Sequence, residues 1–292
     1  MKNFFVITNN SKQDALNTRN EIMEYIKSHG GVCVTDDSDG HRGAENLPGD
    51  SDGHTRLENL PADTECIIVL GGDGTMLRAS IDLADSNVPF IGINIGNLGF
   101  LTAALKADAF KAIDKLLKDD YIIEDRMMIF GQVESKGKII NDRRALNEIV
   151  LTGDRFMQVV YLSVYINDRL VTKYQADGII VSTPTGSSGY NLSAGGPIVN
   201  PTARNLILTP VSPHSMRNRS IIFSAEDAIK IEVDLDRYGK NQQLVAVYDG
   251  ANSTPLNSGD SVTIRKSEKA TRIIKVSHES FIETLHNKLK DD

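Results

Sequence analysis

Cys66-Ile-Ile-Val-Leu-Gly-Gly-Asp-Gly-Thr75 sets an unbroken apolar run against a glycine-rich turn, and a helical pattern through Ala84 follows. A short continuous apolar run bounded by turn signals reads as a buried strand of a parallel sheet. A glycine turn between strand and helix lets the backbone come close to a phosphate, while the helix N-terminus offers N–H groups and a favourable dipole. Asp73 is unexpected there if anion binding is the turn's only task, because its charge repels phosphate. It is a candidate for work on a hydroxyl or a magnesium ion. An ordinary strand-to-helix turn is the bland alternative. The chain has no GxxxxGK[ST], and Gly92-Ile-Asn-Ile-Gly96-Asn-Leu-Gly99 has the wrong spacing for a dinucleotide fingerprint. A P-loop enzyme and a Rossmann dehydrogenase are therefore disfavoured.

Around this stretch, residues 1–122 alternate strands with helices, the pattern of an α/β domain. Strands are expected at Asn3–Thr8, Val32–Thr35, Cys66–Leu70 and Phe90–Asn94. A helix is expected from about Lys12 to His29 with Leu16, Met23 and Ile26 on one face, and an amphipathic helix at Asp108–Lys118. From about Ile123 the texture becomes β-rich and punctuated by turns. Strands are expected at Arg126–Val133, Ala145–Leu151, Val159–Ile166, Leu170–Tyr174, Ile179–Thr183, Ile229–Val233, Leu244–Tyr248 and Val262–Arg265. That spacing predicts an antiparallel, sandwich-like second domain over 123–271. A last strand and a helix near Phe281–Leu289 then return to complete the first domain with residues 272–292.

A net charge of −7 argues against nucleic-acid partners, which demand a basic footprint. The first apolar run, Phe4 to Ile7 with its flanks, is too short for a signal peptide or a membrane span, so a cytoplasmic protein with no membrane partner is expected. Cys33 and Cys66 lie in apolar runs without metal spacing and read as buried reduced thiols. SDGHRGAENLPGD (38–50) is followed directly by SDGHTRLENLPAD (51–63), a tandem duplication of a polar segment. His41 and His54 with neighbouring aspartates make a poor metal set, because no ligand group closes locally, and a solvated surface loop is the simpler reading.

Two further stretches carry chemistry. Asp177-Gly-Ile-Ile-Val-Ser-Thr-Pro-Thr-Gly-Ser-Ser-Gly-Tyr190-Asn-Leu-Ser193-Ala-Gly-Gly-Pro197 opens an apolar strand into a loop dense in hydroxyls and glycines. Such a loop can hydrogen-bond a base edge, ribose hydroxyls and phosphate oxygens without a formal cation; a plain Ser/Thr/Gly surface loop is the alternative. Asn147-Glu148, expected inside the strand Ala145–Leu151, sets an amide beside a carboxylate and could take the two hydroxyls of a ribose. An alternating strand with one polar face explains the pair equally simply.

GGDGT, the NE pair, DGIIVSTPTGS, Gly195-Gly-Pro-Ile-Val199 and Pro210-Val-Ser-Pro-His-Ser215, in this order, resemble the NAD kinase family over nearly the whole chain. GGDGT alone is shared with diacylglycerol and sphingosine kinases; the STPTGS loop with NE and PHS is more specific. The resemblance implies an α/β domain and a β-rich domain with the site in the cleft between them. It implies phosphoryl transfer from ATP, or polyphosphate, to the 2′-hydroxyl of the adenosine ribose of NAD. By the same resemblance Asp73 is the general base with Gly74 beside it, and Asn147 and Glu148 bind the ribose. Asp177 lies near the nicotinamide end, and Thr185, Ser188, Gly189, Tyr190 and Ser193 surround the adenine and ribose. Arg78 could reach a phosphate, though a solvated surface Arg fits as well. Mg2+ or another divalent cation is expected with ATP, no tightly bound organic cofactor or protein-held metal is expected, and the partners implied are NAD, ATP and further copies of the chain in a homodimer or homotetramer. This sequence reads STPTGSSGY where the family usually has STPTGSTAY, so a methyl is missing at Gly189. Met216-Arg-Asn-Arg-Ser220 is more basic than usual, and Ala251 stands where Gln is common. The rival readings are a diacylglycerol-type lipid kinase, which needs a membrane-facing surface, and a dinucleotide sensor without turnover.

Overall fold

The computed structural model describes residues 1–8, 13–35, 55, 57–96, 99–155, 157–214, 219–277 and 280–290. His41, His54, Ser215 and most of the duplicated segment lie outside the described residues. The chain forms two compact units, 1–125 with 271–292, and 126–270.

In the first unit β1 (Asn3–Thr8), α1 (Gln13–Ser28), β2 (Val32–Thr35), β3 (Cys66–Gly71), α2 (Asp73–Asp82), β4 (Phe90–Asn94), β5 (Ala104–Leu105) and α3 (Ala109–Leu117) follow in order. The strands run parallel in the order β2-β1-β3-β4, and β5 pairs with β4. Every residue of β3 and β4 is buried, as expected of interior parallel strands covered on both faces. On α1 the buried stripe is Ala15, Thr18, Ile22 and Ile26, with Leu16 and Met23 only half-buried beside it. The face is thus rotated from the one expected: Ile26 belongs to it, whereas Leu16 and Met23 flank it. On α3, Ala109, Ala112, Ile113 and Leu116 meet the same core.

The order 2-1-3-4 reverses direction between β1 and β3, and open α/β sheets bind ligands beyond the carboxyl ends of strands at such a reversal. The glycine turn leaves β3 at that point. Register places Thr8 beside Leu70, and Gly71 beside Asn94, along this edge.

β6 (Ile122–Ser135) carries the chain into the second unit. There follow β7 (Lys138–Ala145), β8 (Glu148–Gly153), β9 (Val160–Ile166), β10 (Arg169–Ala176), β11 (Gly178–Ser182), a 3-10 turn (Thr185–Ser188), α4 (Tyr190–Ser193), β12 (Asn205–Val211), β13 (Ile221–Ser224), β14 (Ile229–Val233), β15 (Gln243–Tyr248), β16 (Asn252–Asn257), and β17 (Ser261–Lys275), before α5 (Phe281–Lys290). One antiparallel sheet has the order β13-β12-β11-β8-β15-β16. The other includes β10-β9-β14-β17, and β6 pairs with β7. Alternate residues of both sheets interdigitate: Ile149, Leu151, Ile179, Val181, Leu244 and Tyr248 from one meet Ile129, Val160, Leu162, Ile229, Ile231 and Val262 from the other.

Two expectations are corrected. The run Ala145–Leu151 is not one strand: β7 ends at Ala145, β8 begins at Glu148, and Leu146 and Asn147 join them. The pieces expected at Val262–Arg265 and beyond Arg272 are one strand of 15 residues, β17. Among the described residues no helix is long and apolar enough to cross a membrane.

Candidate active site

In the first unit Asp73 opens α2, where a negative charge is favourable to the helix dipole, and Gly72 caps the helix in extended conformation. The Asp73 side chain is half-buried and turns toward the segment after β4. Its carboxylate accepts the N–H of Phe100 at 2.8 Å and of Leu101 at 3.3 Å. Gly99 is needed for this approach, because a Cβ there would overlap the Asp73 carboxylate. Gly71 likewise leaves room for the Thr75 side chain, whose hydroxyl would overlap a Cβ at that position. Gly74 is exposed and Arg78 half-buried, on the exposed side of α2's first two turns. At the end of β1 the Thr8 hydroxyl is buried without a hydrogen-bond partner.

In the second unit the structure brings Asn147, Glu148, Thr185, Ser188 and Gly189 together. β8 and β11 pair so that Glu148 stands opposite Ser182, and the hydroxyl-rich loop leaves β11 at that point. The Asn147 carbonyl accepts the Thr183 N–H at 2.8 Å and the Ser182 hydroxyl at 3.3 Å, while the Thr183 hydroxyl donates to the Leu146 carbonyl at 2.6 Å. Gly186 lies so close that a Cβ would overlap the Asn147 carbonyl. At Gly189 a Cβ would stand 3.3 Å from Glu148 Oε2 and 3.6 Å from Asn147 Nδ2, which puts the missing methyl at the mouth of the pair.

Three acceptor atoms in this group are buried and unpartnered: Asn147 Oδ1, Glu148 Oε2 and Thr185 Oγ1. Each such atom costs about 1–3 kcal/mol of desolvation, so three of them on neighbouring segments mark a ligand site rather than a source of stability. Burial, and then the neighbouring Asp249 carboxylate, push Glu148 up to about 8. Burial also raises Asp249, to about 6, against the opposing pull of three backbone amides. Asp249 is thus the ionised member of the two at neutral pH, and Glu148 the protonated one.

The other expected residues lie further off. Tyr190 and Ser193 are exposed on α4, directly after Gly189, and the Ser188 hydroxyl donates back to the Thr185 carbonyl at 3.4 Å. Asp177 precedes the far end of β11, where Gly178 stands opposite Thr152, about 16 Å along the strand from Ser182. Within one chain it is not beside Asn147 and Glu148. Sequence reading gave no role to Asn191, which is completely buried. Its amide donates to the carbonyls of Ser187 and Pro197, and its oxygen accepts the Thr209 hydroxyl at 2.7 Å, tying the loop to β12. Among the described residues no group of three or more His, Cys, Asp or Glu could hold a metal ion.

Two family models match the chain, the ATP-NAD kinase N-terminal domain over residues 4–121 and the ATP-NAD kinase C-terminal domain over 146–276. The chain belongs to the NAD kinase family. An NAD kinase of Lachnospira eligens is 38% identical, covering 99% of this chain and 100% of the relative. One of Agathobacter rectalis is 40% identical over 99% of each. Yeast NADH kinase, solved with NADH, superposes with a TM-score of 0.82 at 21% identity over 99% of this chain and 88% of that one. An NAD kinase from Archaeoglobus fulgidus, solved with ATP, gives 0.76 at 24% identity over the full length of both. At these identities the two structures establish the NAD kinase fold alone. Membership of the NAD kinase family excludes the lipid-kinase reading.

Proposed function

We propose that the protein transfers the γ-phosphoryl group of ATP to the 2′-hydroxyl of the adenosine ribose of NAD, giving NADP. The observation that carries this reading is the presence of three buried, unpartnered acceptors, Asn147 Oδ1, Glu148 Oε2 and Thr185 Oγ1, on the β7–β8 connection and the loop after β11, in a chain of this family. A ribose diol and an adenine amine offer the donors such a set requires. Asn147 and Glu148 hold the ribose, with Thr185, Ser188, Gly189, Tyr190 and Ser193 around the adenosine and Asp177 serving the nicotinamide end. Asp73, at the amino end of α2 with Gly74 beside it, takes the 2′-hydroxyl proton as general base, and Arg78 pairs with phosphate. With two of its lone pairs given to backbone amides, Asp73 keeps others for that proton.

Magnesium enters as part of the nucleotide substrate, since Mg2+ bound with nucleotides is held largely by phosphates and water. Bound with ATP it neutralises charge on the transferring group. The active form is a homodimer or homotetramer, and light scattering of a fully active monomer would remove that part of the reading. The direct test is NADP formation from NAD with magnesium ATP, read through an NADP-specific dehydrogenase, with polyphosphate and NADH as alternative donor and acceptor. Absence of product with every pairing, while NAD still binds, would turn the reading into that of a dinucleotide sensor.

A further inference from the structure

The turn between β15 and β16 is built on Asp249 and Gly250, with φ of 46° and 70°. Asp-Gly is favoured where two successive hairpin residues take positive φ, so the pair is accounted for by the turn alone. The Asp249 side chain points elsewhere. It reaches under the connection between β7 and β8, where one carboxylate oxygen accepts the N–H of Asn147 at 2.9 Å and of Glu148 at 2.8 Å. The other accepts the N–H of Leu146 at 2.6 Å. The Asp249 N–H donates in return to the Glu148 carbonyl at 3.1 Å.

Leu146 and Asn147 lie between two strands, so their amides go to Asp249 in place of a sheet neighbour. Their carbonyls are taken on the other side by Ser182 and Thr183, and Gly186 closes against the Asn147 carbonyl. Asn147, whose side chain carries one of the unpartnered acceptors, thus has its backbone fixed from both sides, and Glu148 beside it has both its N–H and its carbonyl bonded to Asp249. Taking a carboxylate out of water for this purpose is costly, and charge-assisted bonds to several amides are what offset it.

We propose that Asp249 is a positioning residue for dinucleotide binding: by holding three consecutive amides it fixes the Leu146–Glu148 backbone, so that the Asn147 and Glu148 side chains meet the ribose in one orientation. This rests on the function proposed above. An amide at 249 offers one oxygen with two lone pairs, and its NH2 faces an N–H where a second acceptor is required. In Asp249→Asn the KM for NAD rises by about tenfold or more, as expected for loss of charge-assisted bonds, while kcat stays within about threefold and the KM for ATP is unchanged. A merely structural role would instead shrink the folded fraction, lowering kcat and leaving both KM values where they were. Calorimetric titration with NAD alone shows the same loss without turnover.

Should Asp249→Asn fail to fold, hydrogen exchange on the wild-type chain decides. Amides of Leu146 and Asn147 protected to the level of Ile149–Leu151 support the clamp, and exchange at the rate of an open loop overturns it. Wild-type protein that binds no NAD overturns the proposed function and this inference with it. Wild-type protein that binds NAD, beside an Asp249→Asn variant that binds it equally, overturns the positioning role alone.

Discussion

Asp73 and Asp249 use the same device in different units, a carboxylate that accepts successive backbone amides, and differ in how much of the carboxylate is left over. Asp73 is half-buried and takes two amides, from Phe100 and Leu101. Asp249 is half-buried too, but its carboxylate takes three, from Leu146, Asn147 and Glu148. A carboxylate has about four lone-pair positions, so the half-buried Asp73 retains more capacity for a further donor, whereas Asp249 has spent nearly all of its own on the chain. One is equipped to accept a proton, the other to hold a neighbour still. The hydrogen-bond count separates the two roles where residue type does not.

The largest expected effect breaks the comparison at Asp73. Asp73→Asn keeps an oxygen for the loop amides but loses the base, so kcat falls by about 10²–10⁴-fold while the calorimetric Kd for NAD moves by less than about threefold. A kcat within a few-fold of wild type would take Asp73 out of the chemistry. Gly99→Ala attacks the same carboxylate through its support. The added Cβ displaces the side chain, and a loss of about tenfold to a hundredfold in kcat, with the KM for NAD little changed, is expected from misplacement alone.

The Asp73 half of this contrast is legible in the sequence, the Asp249 half is not, and the unread parts of the fold share a common cause. GGDGT after an apolar run announces itself because strand, turn and helix start are adjacent. The strands with alternating or continuous apolar residues, β3, β4, β9, β14 and β15, were legible for the same local reason. β17 reads as two pieces because its middle, Arg265–Ala270, is rich in charge and only Ser267 within it is buried. β7, Lys-Ile-Ile-Asn-Asp-Arg-Arg-Ala, has no period at all and exists because β6 pairs with it. β12 and β16 were hidden by Pro210 and Pro255. Pro210 lies beyond the last residue of β12 that pairs with β13, and β16 is an edge strand, so neither proline removes a needed ladder bond. The Asp249 clamp joins positions more than a hundred residues apart, and Asn191 is satisfied only through Thr209 and its own loop. Such contacts leave no mark on a local pattern.

Glu148 sharpens the comparison from the side of Asp249, because the two carboxyls share one buried region. Its folded pKa is raised from 4.5 to about 8, so the folded chain holds a proton that the unfolded chain has lost between those values. Stability from this group is therefore complete below about pH 4.5 and declines as pH rises toward 8, at up to about 1.4 kcal/mol per unit. Glu148→Gln removes the slope. Its Tm relative to wild type climbs across this window, and a difference that stays flat with pH would mean that Glu148 ionises freely in the folded protein. At neutral pH the affinity for NAD falls in the variant by about threefold to tenfold, as for loss of one hydrogen bond of a neutral carboxyl group.

The smallest effect tests whether the buried acceptors serve the ligand or the fold. Thr185 Oγ1 is buried without a partner, and valine has the same shape without the hydroxyl. If the hydroxyl serves only the ligand, Thr185→Val removes a desolvated group that the folded chain does not use, and stability holds or rises by up to about 1 kcal/mol. Affinity for NAD moves the opposite way, with KM up about threefold to tenfold for one lost hydrogen bond. Opposite signs in melting and binding distinguish a group kept for substrate from one kept for packing. A variant that melts lower and binds NAD as before would place Thr185 with Asn191, among the residues that hold the loop rather than the ribose.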